Sequence, residues 1–429
     1  MRAIRKLDNL EAAWRVIQQN GRASKSPLVR LELERFAEDA QRNLRSLQGK
    51  LSRGSFRFEK AKGVPIPKLD GNGRPTGKIR PIVLAPVASR IVQRALLNVL
   101  IDIDALKPFV KTPYSFGGIR SLRKRGEQGR SEEISAVPAA IKAVLDQIGQ
   151  GAKFIATADI RAFFTRISKD RVVQVIGEAV GDDPKFLAFV RAAIKVELEN
   201  IATLKNAAGQ FPTEEIGVAQ GNSLSPLLGN IALASFDKAM NDGDCRCIRY
   251  IDDFIIMAPT QRAANARLRK SIGLLEELGM ELSPEKSSKG GSPVELGFDF
   301  LGISICPGLI RPAEKARKRF IDSVGTVLHQ TQKAMIGLKN GNPLPSEQSL
   351  VATLKRIDGM IEGWGKHYWF CNDKHVFAGI DKQIDQRLAD FLGSYSSVRN
   401  AVPASHHRKL LGLAELTAID RTPFAYPSS

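Results

Sequence analysis

Cysteine and long apolar runs are both scarce in this sequence. Cysteine occurs four times in 429 residues, at Cys245, Cys247, Cys306 and Cys371, which is too sparse for a disulfide-stapled fold. The Cys-x-Cys spacing does not suit a zinc knuckle, and no Cys/His pair completes it. No apolar run approaches the roughly 18 residues of a membrane span, and the N-terminus lacks the apolar segment of a signal peptide. We therefore expect a cytoplasmic protein that does not bind membranes.

Acidic residues are also outnumbered. The chain has 64 Lys and Arg against 45 Asp and Glu, a formal net charge of +19. Residues 51–130 alone hold 17 Lys and Arg against 5 Asp and Glu. This segment is interrupted by Gly and Pro and lacks the helical period of a membrane-lying helix. The charge therefore favours nucleic acid as the partner.

Apolar periodicity predicts a mixed α/β chain with a helical last third. Helices are expected over 27–47, 87–106 and 221–240 and from Pro312 onward, and strands over 154–160, over 298–305 and on both sides of a turn within 245–258. Gly-rich segments at 71–77 and 117–129 are predicted as a hairpin turn and a basic loop. We expect the chain to divide into four regions, residues 1–55, 56–305, 306–400 and a tail at 401–429.

The segment Arg249-Tyr250-Ile251-Asp252-Asp253 carries the chemistry. Two adjacent carboxylates lie at a turn between β-favouring residues, where they repel each other unless cations neutralise them. Mg²⁺ prefers carboxylate oxygens and keeps positions open for phosphate and water. A pair of ions needs a third carboxylate, and Asp159, at the end of the strand from Phe154, fits. The sequence thus predicts two Mg²⁺ ions, replaceable by Mn²⁺, that serve phosphoryl transfer.

Seven sequence boxes resemble those of bacterial reverse transcriptases of the group II intron and retron-like lineage, in the family's order. They cover about residues 60–305 and are Lys78-Ile79-Arg80-Pro81 with the helix through Arg94, Tyr114–Ser121, Asp159-Ile160-x-x-Phe163-Phe164, Gln220-Gly221-x-x-x-Ser225-Pro226, Tyr250-Ile251-Asp252-Asp253, Gly279-Met280-x-Leu282-x-x-x-Lys286 and Phe300-Leu301-Gly302. The resemblance implies a right-hand polymerase. Residues 1–55 would be an N-terminal helical extension, 56–305 the fingers and palm (an antiparallel sheet plus helices) and 306–400 an α-helical thumb.

The resemblance also implies roles for single residues. Asp159 and Asp252 would bind both metal ions, with Asp253 a weaker ligand and the Ile160 carbonyl completing one site. Nucleotide contacts are expected from Lys78, Arg80, Phe164, Gln220 and Lys286, and primer or template contacts from Tyr250, Phe300, Leu301, Gly302 and Trp364. Phe164 would exclude a 2′-hydroxyl, and Lys286 would protonate the leaving pyrophosphate. Most aromatics around Trp364 are expected to be core residues.

The implied activity is RNA-directed DNA synthesis, with an RNA template, a DNA primer strand and dNTPs as partners. The sequence lacks the Val-Thr-Gly tripeptide of retron enzymes and an obvious nuclease segment. It is therefore most similar to free-standing, defence-associated bacterial enzymes, and a dedicated non-coding RNA would be the template. Two alternatives stay open. One is a template-independent or protein-primed polymerase of the abortive-infection type, and the other is a maturase-like RNA-binding protein.

Overall fold

A computed structural model of the chain describes all residues except 23, 25, 70–73, 119–134, 182, 423 and 426–429. The predicted turn at 71–73 and most of the predicted basic loop, including 119–121 of the family's box, lie outside the described residues. The chain divides into two compact units, Met1–Val294 and Glu295–Ser429. Across the described residues, no helix is both long enough and apolar enough to cross a bilayer.

The first unit combines helices with two small antiparallel sheets. Its helices are α1 (Leu7–Arg22), α2 (Pro27–Glu38), α3 (Ala40–Ser52), α4 (Val87–Leu100), α5 (Lys107–Val110), α6 (Ala136–Gly149), α7 (Lys169–Val180), α8 (Pro184–Ile194), α9 (Ser225–Ala232), α10 (Ala234–Met240) and α11 (Gln261–Glu276). Its strands are β1 (Lys62–Leu69), β2 (Pro75–Leu84), β3 (Phe154–Asp159), β4 (Arg246–Tyr250), β5 (Asp253–Ala258) and β6 (Ser292–Pro293).

Three predicted helices of this unit are wrong in their extent, and the one expected over 87–106 already ends at Leu100. The helix expected over 27–47 is broken at Asp39, whose backbone leaves the helical region (φ −139°, ψ 58°) and whose carboxylate caps α3 by accepting the Arg42 N–H at 3.3 Å. The helix expected over 221–240 begins only at Ser225, because Gly221 has φ +111°. It is also interrupted at Leu233, where ψ is 6°.

A four-stranded sheet in the order β4-β5-β3-β6 lies at the centre of the first unit. Its paired strands are antiparallel. Phe254 to Ala258 in β5 are all buried, so both faces of this strand are covered. Helix α6 packs against β4 and β5, and α11 packs against β3 and β5. The hairpin predicted within 245–258 and the strand predicted from Phe154 are confirmed.

The N-terminal helices share the hydrophobic core of this unit. Leu10 and Trp14 of α1 belong to the same buried cluster as Ile91 of α4 and Phe254 of β5. Two polar contacts fix α1 against α4. The Asn9 side-chain amide donates to the Ala95 carbonyl at 3.0 Å. It also accepts from the Asn98 amide at 2.9 Å.

The second unit is mainly helical, as predicted for the last third. It contains β7 (Phe298–Phe300), β8 (Ile303–Cys306), β9 (Leu309–Pro312), α12 (Glu314–Leu338), α13 (Leu350–His367), α14 (Lys374–Ala401) and α15 (His407–Leu411). The single strand predicted over 298–305 is wrong. Leu301 (φ 52°) and Gly302 (φ 78°) form a left-handed turn that folds the segment into a β7–β8 hairpin.

Candidate active site

Three carboxylates meet at one end of the central sheet. Asp159 ends β3 and Asp253 begins β5, and the two residues are direct partners in the antiparallel register. Asp252 lies in the two-residue turn that precedes β5, and its carbonyl accepts the backbone N–H of Ile160 at 2.9 Å. The structure thus brings Asp159 together with the adjacent pair Asp252 and Asp253, which lies 93 residues further along the chain.

The electrostatics of this cluster disfavour three bare negative charges. Burial, followed by the charge of Asp159, raises the pKa of the Asp252 carboxyl. Burial and the charges of Asp252 and Asp159 raise the pKa of Asp253 to about 7. Half-buried carboxylates this close repel each other, so the site favours the binding of positive charge.

Lys286 supplies one positive charge from the first unit itself. Its Nζ lies 2.7 Å from Oδ2 of Asp159. Burial acts to lower the pKa of Lys286, but the hydrogen bond to Asp159 and the nearby carboxylates raise it overall. The Ser283 N–H donates to the Asp159 carbonyl at 2.8 Å, which holds the segment beside β3. The predicted proton donor therefore lies within reach of the carboxylates.

The donor set fits a hard divalent cation. In the described part of the chain, no three Asp, Glu, His or Cys side chains form a ready-made metal cage. One oxygen of Asp159 is engaged by Lys286 instead. All three nearby acidic side chains offer carboxylate oxygens, the ligands that Mg²⁺ prefers, and the Ile160 backbone lies against Asp252. Metal ions would neutralise the same repulsion that Lys286 now relieves in part.

Two predicted triphosphate ligands lie on an exposed hairpin. Lys78 and Arg80 are two residues apart in β2, and both are exposed, so their side chains share one face of the strand. Lys78 Nζ lies 2.7 Å from Oε1 of Glu285. Contact with Lys78 is the main reason that the pKa of Glu285 falls to about 2. Glu285 was not singled out from the sequence. It sits next to Lys286, so one dipeptide contacts both Lys78 and Asp159.

Phe164 and Gln220 occupy turns whose backbones are closely packed. Phe163 is 2% exposed and belongs to the core, whereas Phe164 is only half-buried, with a ring-centroid separation of 5.2 Å between the two rings. The Gln220 carbonyl accepts the Val83 N–H of β2 at 3.0 Å. A Cβ on Gly221 would lie 3.0 Å from the Val83 carbonyl oxygen, and its φ is +111°, so the position requires glycine.

The predicted primer and template residues are divided between the two units. Tyr250 pairs with Asp253 at the closing position of the β4–β5 hairpin in the first unit. Phe300, Leu301 and Gly302 form the buried end and the tip of the β7–β8 hairpin in the second unit. Trp364 stacks on Phe320 with a centroid distance of 4.6 Å and an interplanar angle of 13°. It therefore contributes to the packing of that unit, and its contact with nucleic acid stays a prediction.

Sequence reasoning missed one polar residue next to the aspartates. Arg249 is fully buried, and its guanidinium forms a bidentate pair with Asp237 of α10 at 2.6 and 2.7 Å. A signal was present in the sequence. Arg249 interrupts the apolar strand pattern after Ile248, and Asp237 interrupts the apolar pattern of its helix. Two opposite charges, each set among apolar residues, indicate a buried pair.

The fold and the site together define the class of this protein. A mixed helical and antiparallel-sheet fold gathers three carboxylates at two adjacent strand ends, and a neighbouring hairpin presents Lys78 and Arg80. This arrangement is that of a nucleic-acid polymerase with an α/β fold.

Comparison with known proteins identifies the family. Residues 66–305 match the family model described as "Reverse transcriptase (RNA-dependent DNA polymerase)". The chain belongs to the reverse transcriptase family, the family of RNA-directed DNA polymerases.

Two curated proteins are similar to this chain in sequence. Protein YkfC of Escherichia coli (strain K12) is 24% identical over 295 residues, which are 60% of this chain and 70% of YkfC. The Retrovirus-related Pol polyprotein from type-1 retrotransposable element R2 of Nasonia vitripennis is 24% identical over 243 residues, 54% of this chain and 22% of that polyprotein.

Similar solved structures include a partial Cas6-RT-Cas1–Cas2 complex, with a TM-score of 0.33, 18% identity and coverage of 64% of this chain and 41% of the other. An apo telomerase from Candida tropicalis has a TM-score of 0.37, 16% identity and coverage of 58% and 53%. The chain thus spans about half or less of the length of these structures.

Proposed function

We propose that this chain synthesises cDNA on an RNA template by nucleotidyl transfer that depends on two Mg²⁺ ions. One observation carries the proposal. The three aspartates of the Asp-Ile and Tyr-x-Asp-Asp boxes meet at paired strand ends within the region that matches the reverse transcriptase family. A protein that only bound RNA would not need three repelling carboxylates at one point.

The residues of the site divide the work of the reaction. Asp159 and Asp252 would hold the metal ions, with Asp253 as a weaker ligand and the Ile160 carbonyl beside them. Mg²⁺ ions held there would supply activation of the primer 3′-hydroxyl and neutralisation of charge on the triphosphate. Arg80 binds phosphate oxygens by its planar fork and Lys78 as a point charge. Lys286 holds a proton within reach of the carboxylates and delivers it to the leaving pyrophosphate.

The remaining residues set substrate choice and strand position. Phe164 is half-buried beside the catalytic strand, so its exposed edge can close the space that a 2′-hydroxyl would need. Gln220 is fixed against β2 and contacts the nucleotide or the template. Tyr250, Phe300, Leu301, Gly302 and Trp364 contact the primer and template. RNA·DNA hybrids are held chiefly through backbone and shape, which suits the basic excess of residues 51–130.

Primer extension on an RNA template tests the proposal. Purified protein, a DNA primer annealed to RNA, Mg²⁺ and dNTPs should yield extended DNA, and EDTA should abolish it. Extension that proceeds equally well without template would favour the template-independent polymerase. Binding of RNA without any incorporation, in Mg²⁺ or Mn²⁺, would favour the maturase-like protein.

We further propose that the cDNA is made in antiphage defence, from a dedicated structured RNA. The support is the resemblance of the sequence boxes to those of defence-associated bacterial enzymes, together with the lack of the Val-Thr-Gly tripeptide of retron enzymes. Such a role would place the enzyme in the cytoplasm. Phage should form fewer plaques on cells that carry the intact gene than on cells that carry the Asp252→Asn variant. Equal plaque numbers on the two kinds of cell would contradict the defence role. Sequencing of the nucleic acid that co-purifies with the protein would identify the template.

A further inference from the structure

A strained turn carries Asp252 and leads directly into Asp253. The β4–β5 hairpin has a two-residue turn, Ile251-Asp252, between the paired residues Tyr250 and Asp253. Ile251 has a φ of 60°. This left-handed conformation is a genuine outlier for a β-branched residue and persists only where its surroundings enforce it. Something in the structure must therefore hold Ile251.

Arg249 reaches this turn from the preceding strand. Its Nη1 donates to the Ile251 carbonyl at 2.9 Å. Its Nε and Nη2 are fixed by the two Asp237 oxygens, and Nη2 also contacts Oδ1 of Asn230 at 3.2 Å. A planar guanidinium can make these contacts at once because its donors point in fixed directions. It thus connects helices α9 and α10 to the turn.

The contacts around Arg249 leave it little freedom. The side chain is the largest fully buried one among the described residues. Its backbone N–H donates to the Tyr114 carbonyl at 2.8 Å, and its carbonyl accepts the Phe116 N–H at 2.9 Å. The Asn230 amide is held in turn by the Phe109 carbonyl at 2.9 Å. A buried cation with this many fixed partners is a rigid anchor.

The turn is also confined from its other side. A Cβ on Gly117 would lie 2.6 Å from Ile251 Cγ1 and 2.7 Å from the Ile251 nitrogen. Glycine at 117 therefore lets the segment after Tyr114 press directly on Ile251. The Asp252 carbonyl is held by the Ile160 N–H. The turn between Tyr250 and Asp253 is thus contacted by Arg249 and Ile160 and closely approached by Gly117.

We propose that Arg249, anchored by Asp237, is a positioning residue that holds Ile251 in its left-handed conformation and so directs Asp252 and Asp253 toward Asp159. The role rests on the proposed two-metal function, because it acts through the metal-binding carboxylates. Small displacements of reacting groups cost about 100-fold in rate. Loss of the anchor should therefore lower kcat and metal affinity while leaving the nucleotide contacts of Lys78 and Arg80 in place.

The combined variant Arg249→Met with Asp237→Leu is the main test. It removes both charges together, so no buried charge is left unpaired and the protein should fold. Circular dichroism would check the fold. We expect a kcat in primer extension about 10- to 100-fold below wild type and a KM for dTTP within about threefold. Mn²⁺ binding without nucleotide, followed by electron paramagnetic resonance, should weaken in parallel.

A second set of variants tests the role without removing the charge. Arg249→Lys keeps the cation but loses the planar fork, and it should lower kcat. Arg311→Lys is the matched control, since Arg311 pairs with the buried Asp373 of the second unit at 3.3 Å. Because glycine adopts a positive φ without strain, Arg249→Lys should cost less when it is combined with Ile251→Gly.

The outcomes separate this role from the proposed function. A folded Met/Leu variant with wild-type kcat and wild-type Mn²⁺ affinity overturns the role of Arg249. If that variant does not fold, the comparison of Arg249→Lys with the double variant Arg249→Lys/Ile251→Gly decides. A loss of kcat in Arg249→Lys that Ile251→Gly does not reduce overturns the role of Arg249. Wild-type protein that extends no primer contradicts the proposed function. In that case Mn²⁺ binding alone tests the positioning role, which requires weaker Mn²⁺ binding in the Arg249→Met/Asp237→Leu variant than in wild type.

Discussion

Two hairpins with two-residue turns each contain a non-glycine residue with positive φ, and the two turns accommodate it in different ways. The turn between β4 and β5 places Ile251 at a φ of 60°, and the turn between β7 and β8 places Leu301 at 52° and Gly302 at 78°. Hairpin turns of these kinds are normally formed by glycine or asparagine. The second hairpin has glycine at one of its two left-handed positions. The first has isoleucine at its left-handed position and a buried arginine to support it.

The difference indicates where the molecule tolerates strain. The β7–β8 turn has open space around Gly302, and glycine meets part of its conformational demand. The β4–β5 turn depends on contacts from Arg249 and Ile160. Strain of this kind tends to collect at functional sites, where the surroundings fix a side chain in place. The hairpin with the strained turn is also the one that carries two aspartates.

The largest expected effect comes from removing the charge of Asp252 in the β4–β5 hairpin. Asp252→Asn keeps the side-chain volume but removes a charge that would bind metal, so primer extension should fall by about 1,000-fold or more. Asp299→Asn, in the exposed part of β7, is the matched control and should leave activity within about threefold of wild type. Single-turnover extension measures both. Near-wild-type activity of Asp252→Asn would show that the β4–β5 hairpin carries no carboxylate that the reaction needs.

The next effect concerns sugar selection. Phe164→Val should let ribonucleotides in, and discrimination against them should fall by about 10-fold or more, because one steric contact is lost. Phe300→Leu, in the other hairpin region, should weaken primer binding and leave sugar selection unchanged. Competing single-nucleotide incorporation of dNTP and rNTP compares the two. Unchanged discrimination in Phe164→Val would show that Phe164 is only a core residue.

A smaller effect is expected from the ion pair that adjoins the site. Lys78→Gln removes a charge from the triphosphate contact and should raise the KM for dNTP by about 10-fold. Glu285→Gln frees Lys78 from its partner, so it should not raise that KM. Steady-state extension at several dNTP concentrations gives both values. An equal rise in both variants would mean that the ion pair supports the structure and Lys78 does not bind phosphate.

The smallest expected effect concerns Gly302, whose positive φ is the reason for glycine in the β7–β8 turn. Gly302→Ala forces alanine into a left-handed turn, and the free energy of unfolding should fall by about 1 kcal/mol. Gly359→Ala is the control, since Gly359 lies inside α13 with open space around it and alanine should stabilise the helix by about 0.5–1 kcal/mol. Chemical denaturation measures both. A stabilising Gly302→Ala would contradict the turn's demand for glycine.

Local sequence pattern was enough for much of this site. The strand to Asp159 and the hairpin around Asp252 follow from short apolar runs that end at charged residues, and these signals need no distant partner. The breaks at Asp39 and Gly221 were missed, because apolar spacing continues across them while the backbone turns. The β7–β8 turn was missed for the same reason, since Leu301 fits an apolar strand.

The contacts that sequence reasoning missed join distant residues. Lys286 meets Asp159 across 127 positions, and Lys78 meets Glu285 across 207. Such pairs depend on the three-dimensional fold and leave no periodic trace. Arg249 and Asp237 are only 12 residues apart, but their pairing requires α10 to pack beside β4. A charge in an apolar strand therefore predicts a buried partner without identifying it.

Diffraction from crystals soaked in Mn²⁺ tests the central claim most directly, because anomalous scattering locates the ion without reference to activity. The account predicts Mn²⁺ bound by the carboxylates of Asp159 and Asp252, with Lys286 displaced from Asp159. Mn²⁺ bound only elsewhere, at a concentration that supports DNA synthesis, would contradict it.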